Sequence, residues 1–233
     1  MQTRHRIAVL VSIFAALVLV AGCSSSPEKS NAPLPDAASL LKDSNQTTSA
    51  QTSVHLELVV TGKIKELPIE TLTGDLTNVP VVAAQGKASI IAFGQTFKDV
   101  DFVVADGDLY GALTPGSFTN FGPASEIYDV SKILNPKVGL ANVLANFADP
   151  KSDGRETLNG VATVRVTGRV SADAVNKIAP QLAATGPVPG TAWIREDGNH
   201  ELVQVKLDPA ADTSVTMTLS DWGKPVTVSK PAV

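Results

Sequence analysis

A single cysteine stands among 233 residues, at a position where a thiol has a defined chemistry. Val20-Ala21-Gly22-Cys23 follows Arg4, Arg6 and fourteen uncharged residues, Ile7 to Val20, of which only Ser12 is polar. Small residues ahead of a cysteine let a peptidase hold the backbone extended, and the thiol can take up a diacylglycerol before the chain is cut on its amino side. This is a lipobox. The apolar run is shorter than the roughly 20 residues a spanning helix needs, and it has the basic start and small-residue end of a signal peptide. Residues 1–22 are therefore expected to be removed, leaving Cys23 as the lipidated first residue.

The other reactive side chains do not converge on a catalytic site. Beyond the signal only His55 and His200 remain, and neither has metal-ligand spacing to another histidine or to a cysteine. No Gly-x-Ser-x-Gly elbow is present. Asp99, Asp101, Asp106 and Asp108 resemble a cation cluster, since hard cations take several carboxylate oxygens. A plainer reading places Asp106 in a turn, and Asp99 and Asp101 on a solvent face opposite Val100 and Phe102. Gly107 and Gly111 precede no helix N-terminus and make no phosphate loop. No enzyme activity, metal or cofactor is expected.

Composition narrows the class. Loss of Arg4 and Arg6 leaves 17 Lys and Arg against 23 Asp and Glu, a net charge of −6, which disfavours nucleic acid as a partner. Export without a second cysteine means no disulfide, so the fold depends on its core. The chain is 43% hydrophobic but only 5% aromatic, and Val, Leu, Ile and Ala must build that core. Residues 23–34 are small, polar and broken by prolines, a lipidated tether, and residues 35–233 form the domain.

Asp36 is placed to cap a helix running to about Thr52, although its second half, Ser44 to Ser53, is rich in Thr, Ser and Gln and reads equally well as a disordered extension of the tether. From Val54 the period becomes two, with Val54, Leu56, Leu58 and Val60 on one face. Further strands are expected at Ile69 to Leu76, Gly86 to Phe93, Phe97 to Ala105 and Asp108 to Leu113. The last pair flanks Asp106-Gly107, a two-residue hairpin turn. In the third strand Ala88, Ile90 and Ala92 share a face opposite Lys87 and Ser89. Residues 114–128 read as a loop holding Phe118, Phe121 and Tyr128. Asp129 opens a short helix with Val130, Ile133 and Leu134, ended by Asn135-Pro136, and a second follows with Leu140, Val143, Leu144 and Phe147 at i, i+3, i+4 and i+7. Arg155 to Leu158 and Val161 to Val170 form a hairpin about Asn159-Gly160. Ser171 caps a helix holding Val175 and Ile178, and residues 180–190 form a loop. Strands resume at Thr191 to Glu196, Leu202 to Leu207, Val215 to Leu219 and Val226 to Ser229. The segregation of strands and helices predicts an α+β fold with a large antiparallel sheet.

Alternating apolar faces usually mean a filled core. Here Ala88 and Ala92 are small where a core strand carries Val, Leu or Ile, and few aromatics exist to fill the space under a wide sheet. Leftover volume points to a cavity. Its expected walls are Val54, Leu56, Leu58, Val60, Ala88, Ile90 and Ala92 on the sheet, with Leu140, Val143, Leu144 and Phe147 opposite.

Phe121-Gly122-Pro123-Ala124, Ile127-Tyr128-Asp129, Leu134-Asn135-Pro136, the block Gly139 to Phe147, Val188-Pro189 with Trp193-Ile194, and Met217 to Ser220 with Trp222-Gly223 resemble the mycobacterial LppX/LprA/LprF/LprG lipoproteins. The likeness covers nearly the whole mature chain. It implies a curved antiparallel half-barrel with helices packed on its concave face, enclosing an apolar cavity for acyl chains. It also implies a carrier of triacylated glycolipids, of the phosphatidylinositol mannoside and lipoarabinomannan type, and of triacylglycerol, working beside a major-facilitator transporter. Such a protein is expected as a monomer anchored through Cys23 to the outer face of the cytoplasmic membrane, in the cell envelope. Whether part of it is shed, and which headgroup it holds, the residues leave open. A structural or adaptor lipoprotein that docks the transporter without lipid is the alternative.

Overall fold

The computed structural model describes residues 32–233; the signal peptide, Cys23 and all but the last residues of the tether lie outside the described residues. In chain order come α1 (Ala37–Ser49), β1 (Ser53–Thr61), β2 (Ile69–Thr77), β3 (Ala83–Ala92), β4 (Gln95–Ala105), β5 (Asp108–Thr114) and β6 (Ser117–Pro123). After a 3-10 turn at Ala124–Glu126 follow α2 (Ser131–Leu134), α3 (Leu140–Ala145), β7 (Phe147–Leu158), β8 (Val161–Val170) and α4 (Ala172–Ile178). A second 3-10 turn, Pro180–Leu182, leads to β9 (Val188–Arg195), β10 (Leu202–Ala210) and β11 (Thr213–Ser220).

All eleven strands join one antiparallel sheet in the order β6-β5-β4-β3-β2-β1-β11-β10-β9-β8-β7. The chain thus lays down two meanders, β1–β6 and β7–β11, and joins them where its first strand meets its last. Register carries the apolar rows across that seam: Leu56 lies opposite Leu219, Leu58 opposite Met217 and Val60 opposite Val215. The fold is the expected α+β one, a curved open sheet with its helices on the concave face. Curvature is helped at Gly74 and Gly86, which face each other across β2 and β3. A β-carbon on Gly86 would stand 2.0 Å from the Thr73 carbonyl oxygen, and one on Gly74 2.4 Å from that of Gln85, so only glycines allow this approach.

The caps form as their residue types demand. Asp36 accepts a hydrogen bond from the Ser39 backbone nitrogen at 2.8 Å, and Ser171 accepts one from that of Ala174 at 3.3 Å. Asp106 and Gly107 both have positive φ, as a type I′ turn requires.

Three expectations need correction. Residues 117–123 form strand β6, not a loop: Pro115-Gly116 turns the chain back onto β5, and the pairing slips between Asp108 and Tyr110 and again between Gly111 and Thr114. These bulges break the period-two pattern that would have marked a strand. Phe147 does not continue the helix face of α3, because Asn146 leaves helical geometry and Phe147 pairs with Val170 as the first residue of β7. Residues 226–229 are not a strand. Both edges of β11, the strand they follow, are occupied by β1 and β10, so they cannot add to it as a hairpin partner. Instead Val228 packs on Val103, Ala105 and Tyr110, on the face of β4 opposite Phe102 and Val104. Lys230 lies there 3.2 Å from Asp106 and 5.6 Å from the centre of the Tyr110 ring.

Candidate functional site

Under the first meander lies an apolar cavity of about 390 Å³. Its floor is the concave face of β1–β5: Leu56 and Leu58, Leu72, Ala88, Phe102 and Leu109. β11 adds Val215 and Met217 at the seam, and the loop before β2 adds Leu67 and Pro68. The roof is the segment from the end of β6 into α2, with Ala124, Ile127, Tyr128, Val130 and Ile133, helped by Ala179 beyond α4.

A buried hydroxyl helps to pin the roof. The Tyr128 phenol donates to the Ile178 carbonyl at 2.9 Å, joining this segment to the C-terminal end of α4. Burial first, and the neighbouring Asp129 carboxylate second, push the phenol pKa well above its usual value, so it remains a neutral donor. Asp129 in turn accepts from the Ser131 backbone nitrogen at 3.1 Å and hydroxyl at 2.6 Å, which starts α2 as its residue type suggests.

The structure brings together five of the expected sheet residues, Leu56, Leu58, Ala88, Ile90 and Ala92, along the cavity. Val54 is fully buried in the adjoining core, and Val60 packs against the same core from a partly exposed position. The expected opposite wall is displaced. Leu140 and Val143 face α4 and strands β10–β11 across a void of only about 10 Å³, while Leu144 and Phe147 belong to the packed core of the second meander. The third strand also departs from simple alternation. Its pairing with β4 shifts between Ala88 and Ile90, and Ile91 lines the cavity as well as Ile90 and Ala92.

The roof and much of the floor escaped sequence reasoning. A usable signal was present: Phe121 and Tyr128 fall in the short aromatic-rich segment, and Gly111, inside a strand, marks the place where a ring lies close. A β-carbon there would stand 2.9 Å from the Phe121 ring.

The polar candidates are separately engaged. His55 Nδ1 lies 2.7 Å from Asp75, and His200 Nδ1 donates to the Arg195 carbonyl at 3.1 Å. Asp101 pairs with Lys87 at 2.6 Å, Asp106 with Lys230, and Asp108 accepts from Asn120 at 2.9 Å. Among the described residues no three His, Cys, Asp or Glu side chains are grouped to hold a metal ion, and no helix is long and apolar enough to cross a membrane. What the site offers is apolar volume with a mouth to solvent.

An open antiparallel half-barrel with an apolar chamber under one end defines a class of lipoprotein folds, and comparison with known proteins places the chain within it. A model of the LppX_LprAFG lipoprotein family matches residues 36–228. The chain belongs to that family. It is 63% identical, over the full length of both chains, to the lipoarabinomannan carrier protein LprG of Mycolicibacterium smegmatis. It is 52% identical to LprG of Mycobacterium tuberculosis, over 99% of this chain and 98% of that one. Among solved structures it is similar to LprF from Mycobacterium bovis, with a TM-score of 0.78 and 33% identity over 86% of this chain and 99% of that one. It is also similar to the Mycobacterium tuberculosis lipoprotein LppX, with a TM-score of 0.65 and 28% identity over 83% and 98%.

Proposed function

We propose that this protein is a lipid-anchored carrier of lipoarabinomannan-type glycolipids, holding acyl chain in the cavity beneath β1–β6. The observation that carries the reading is the chamber itself: about 390 Å³ walled almost wholly by carbon, beneath a sheet that is otherwise tightly packed. An apolar cavity of about 150 Å³ takes a benzene ring, so this one takes roughly fifteen carbons, the order of one long acyl chain. A triacylated ligand, a phosphatidylinositol mannoside or triacylglycerol therefore needs further room. Outward movement of the roof, residues 124–134, supplies it. The carrier names of the LprG relatives support the same reading.

The proposal extends to the parts of the chain outside the described residues. Residues 1–22 direct export and are removed, Cys23 carries the acyl anchor, and residues 23–34 tether the domain of residues 35–233 at the outer face of the cytoplasmic membrane. There it passes lipid to or from a membrane transporter. The test is mass spectrometry of a solvent extract from the mature protein purified out of its own envelope. Stoichiometric acylated glycolipid is expected. A ligand-free protein with a collapsed chamber would instead favour an adaptor that docks the transporter without cargo.

A further inference from the structure

The cavity opens between four large apolar side chains that both line it and face solvent: Ile91, Leu113, Phe121 and Ile127, each 41% to 54% exposed. Next to Ile91 and Ala92, at the tip of the β3–β4 hairpin, Phe93 is 90% exposed. These are five of the ten large hydrophobic side chains exposed among the described residues. Single exposed apolar residues are ordinary; a patch gathered round the mouth of an apolar chamber is not.

The backbone at the tip is a second, independent observation. Two-residue hairpin turns with positive φ at both positions favour Asn, Asp or Gly at the first. The chain follows that preference twice, with Asp106-Gly107 at φ 56° and 86° and Asn159-Gly160 at φ 50° and 79°. At Phe93-Gly94 the angles are 52° and 75°, yet the first residue is a phenylalanine. A bulky residue held at positive φ is disfavoured by the backbone, and this one makes up little of that cost through burial. Its side chain therefore serves something outside the fold.

We infer that the Phe93 tip and the apolar rim behind it seat on a lipid bilayer, so that an acyl chain passes between membrane and cavity without crossing water. The inference rests on the carrier reading for its purpose. The anchor permits this seat where Pro33 stands no more than about 34 Å above the bilayer, the reach of the ten extended residues from Cys23 to Pro33. Charge does not direct the contact. Lys63, Lys65 and Lys98 at this end of the sheet are matched by Glu66, Glu70 and Asp99, with Lys65 3.6 Å from Glu66 and Glu70 accepting from Thr96. Insertion is thus apolar, independent of anionic headgroups and of salt.

The test uses the mature acylated protein on phosphatidylcholine vesicles. With Phe93→Trp, the added indole emission, after subtraction of the unsubstituted protein carrying Trp193 and Trp222, should shift to the blue. Bromines on the lipid chains should quench it, at low and high salt alike. Phe93→Asn, which suits the turn better, should melt no lower than the parent. It should nevertheless take up vesicle lipid roughly tenfold more slowly, the order expected when a phenyl ring no longer enters an apolar phase. Uptake from detergent micelles should be unchanged. An unquenched indole in water, with uptake unaffected by Phe93→Asn, overturns the inference, and so does quenching that appears only in membranes containing a partner protein. If the parent takes up no lipid even from micelles, the carrier reading falls while quenching still supports a bilayer seat.

Discussion

The two meanders share one sheet but treat the space beneath it differently. Under β7–β11 the concave face carries Val164, Val166, Val170, Ile194 and Leu202, all completely buried, and α1, α3 and α4 cover them. Even the small residues there are filled from within: a β-carbon on Gly168 or Gly190 would stand 3.0 Å or 3.1 Å from the Phe147 ring. Under β1–β6 the corresponding rows carry Gly74, Ala84, Gly86, Ala88 and Gly111, and the cover is only the short segment of residues 124–134, with Ala179 beyond α4. The chamber therefore arises from an uneven distribution of helices and side-chain volume over a continuous sheet. Strand pairing holds the sheet together on both sides, so one half can remain open without loss of shape.

The contrast is tested most severely by truncation. Ile194→Ala, in the filled half, should cost about 2–5 kcal/mol, because the walls of the hole cannot close. Ile90→Ala, beside the chamber, should cost about half as much or less, since that side chain already lacks neighbours on one side. Urea titration of both variants, with unchanged m-values, gives the comparison. Equal losses would mean that the chamber is closed in solution.

Ligand removal comes next. A lipid that binds only the folded state adds about 2.7 kcal/mol at a hundred times its dissociation constant. Delipidated protein should melt about 5–10 °C below loaded protein. In hydrogen exchange the protection lost should map to β2–β6 and to residues 124–134, and spare β8–β10. Uniform loss over both meanders would mean that the two halves do not respond separately.

Overpacking then separates two alanines of equal size. Ala192→Trp, fully buried in the filled half, should destabilise by about 1–3 kcal/mol or prevent folding. Ala88→Trp projects into the chamber, and should leave circular dichroism and melting close to those of the parent while bound lipid is lost. Lys87→Trp is the control: Lys87 pairs with Asp101 on the other face, and lipid should remain bound. If Ala88→Trp unfolds the protein, the position belongs to a tight core.

The sheet was legible where chemistry is local. Alternation in β1, the Asp106-Gly107 turn and the Asp36 and Ser171 caps each depend on a few neighbouring residues, and each formed as read. The small residues of β3 also pointed to open volume, and Ala88 and Ala92 do line it. The roof was less legible, because amphipathic spacing shows that α3 has an apolar face without showing which meander it covers. Leu140 and Val143 lie over β10 and β11 because the short link from α3 into β7 ties them to the second meander. β6 was hidden by its bulges, and the alternation of Val226 and Val228 suggested a strand although both edges of β11, the strand just before it, are taken by β1 and β10.

The smallest expected effect concerns the helix that covers the filled half. The Ser39 backbone nitrogen, foremost, and then its hydroxyl donate to Asp36 and hold its carboxyl pKa below the usual range. A folded-state value below the unfolded one means that the cap contributes fully above the ordinary carboxylate pKa, and that this contribution disappears as pH falls through the lower, folded value. The site is fully exposed, so water screens the effect, and its loss should lower the melting temperature less than any core substitution above. Asp36→Asn keeps an acceptor for the Ser39 nitrogen but cannot titrate, so its melting temperature should fall less steeply than the parent's between about pH 6 and about pH 3. Asp36→Ala should be less stable than both near neutrality and converge on the parent in acid. Parallel melting curves for Asp36→Asn and the parent across that range would show that the carboxylate's charge contributes nothing to the cap, and that the oxygen alone does the capping.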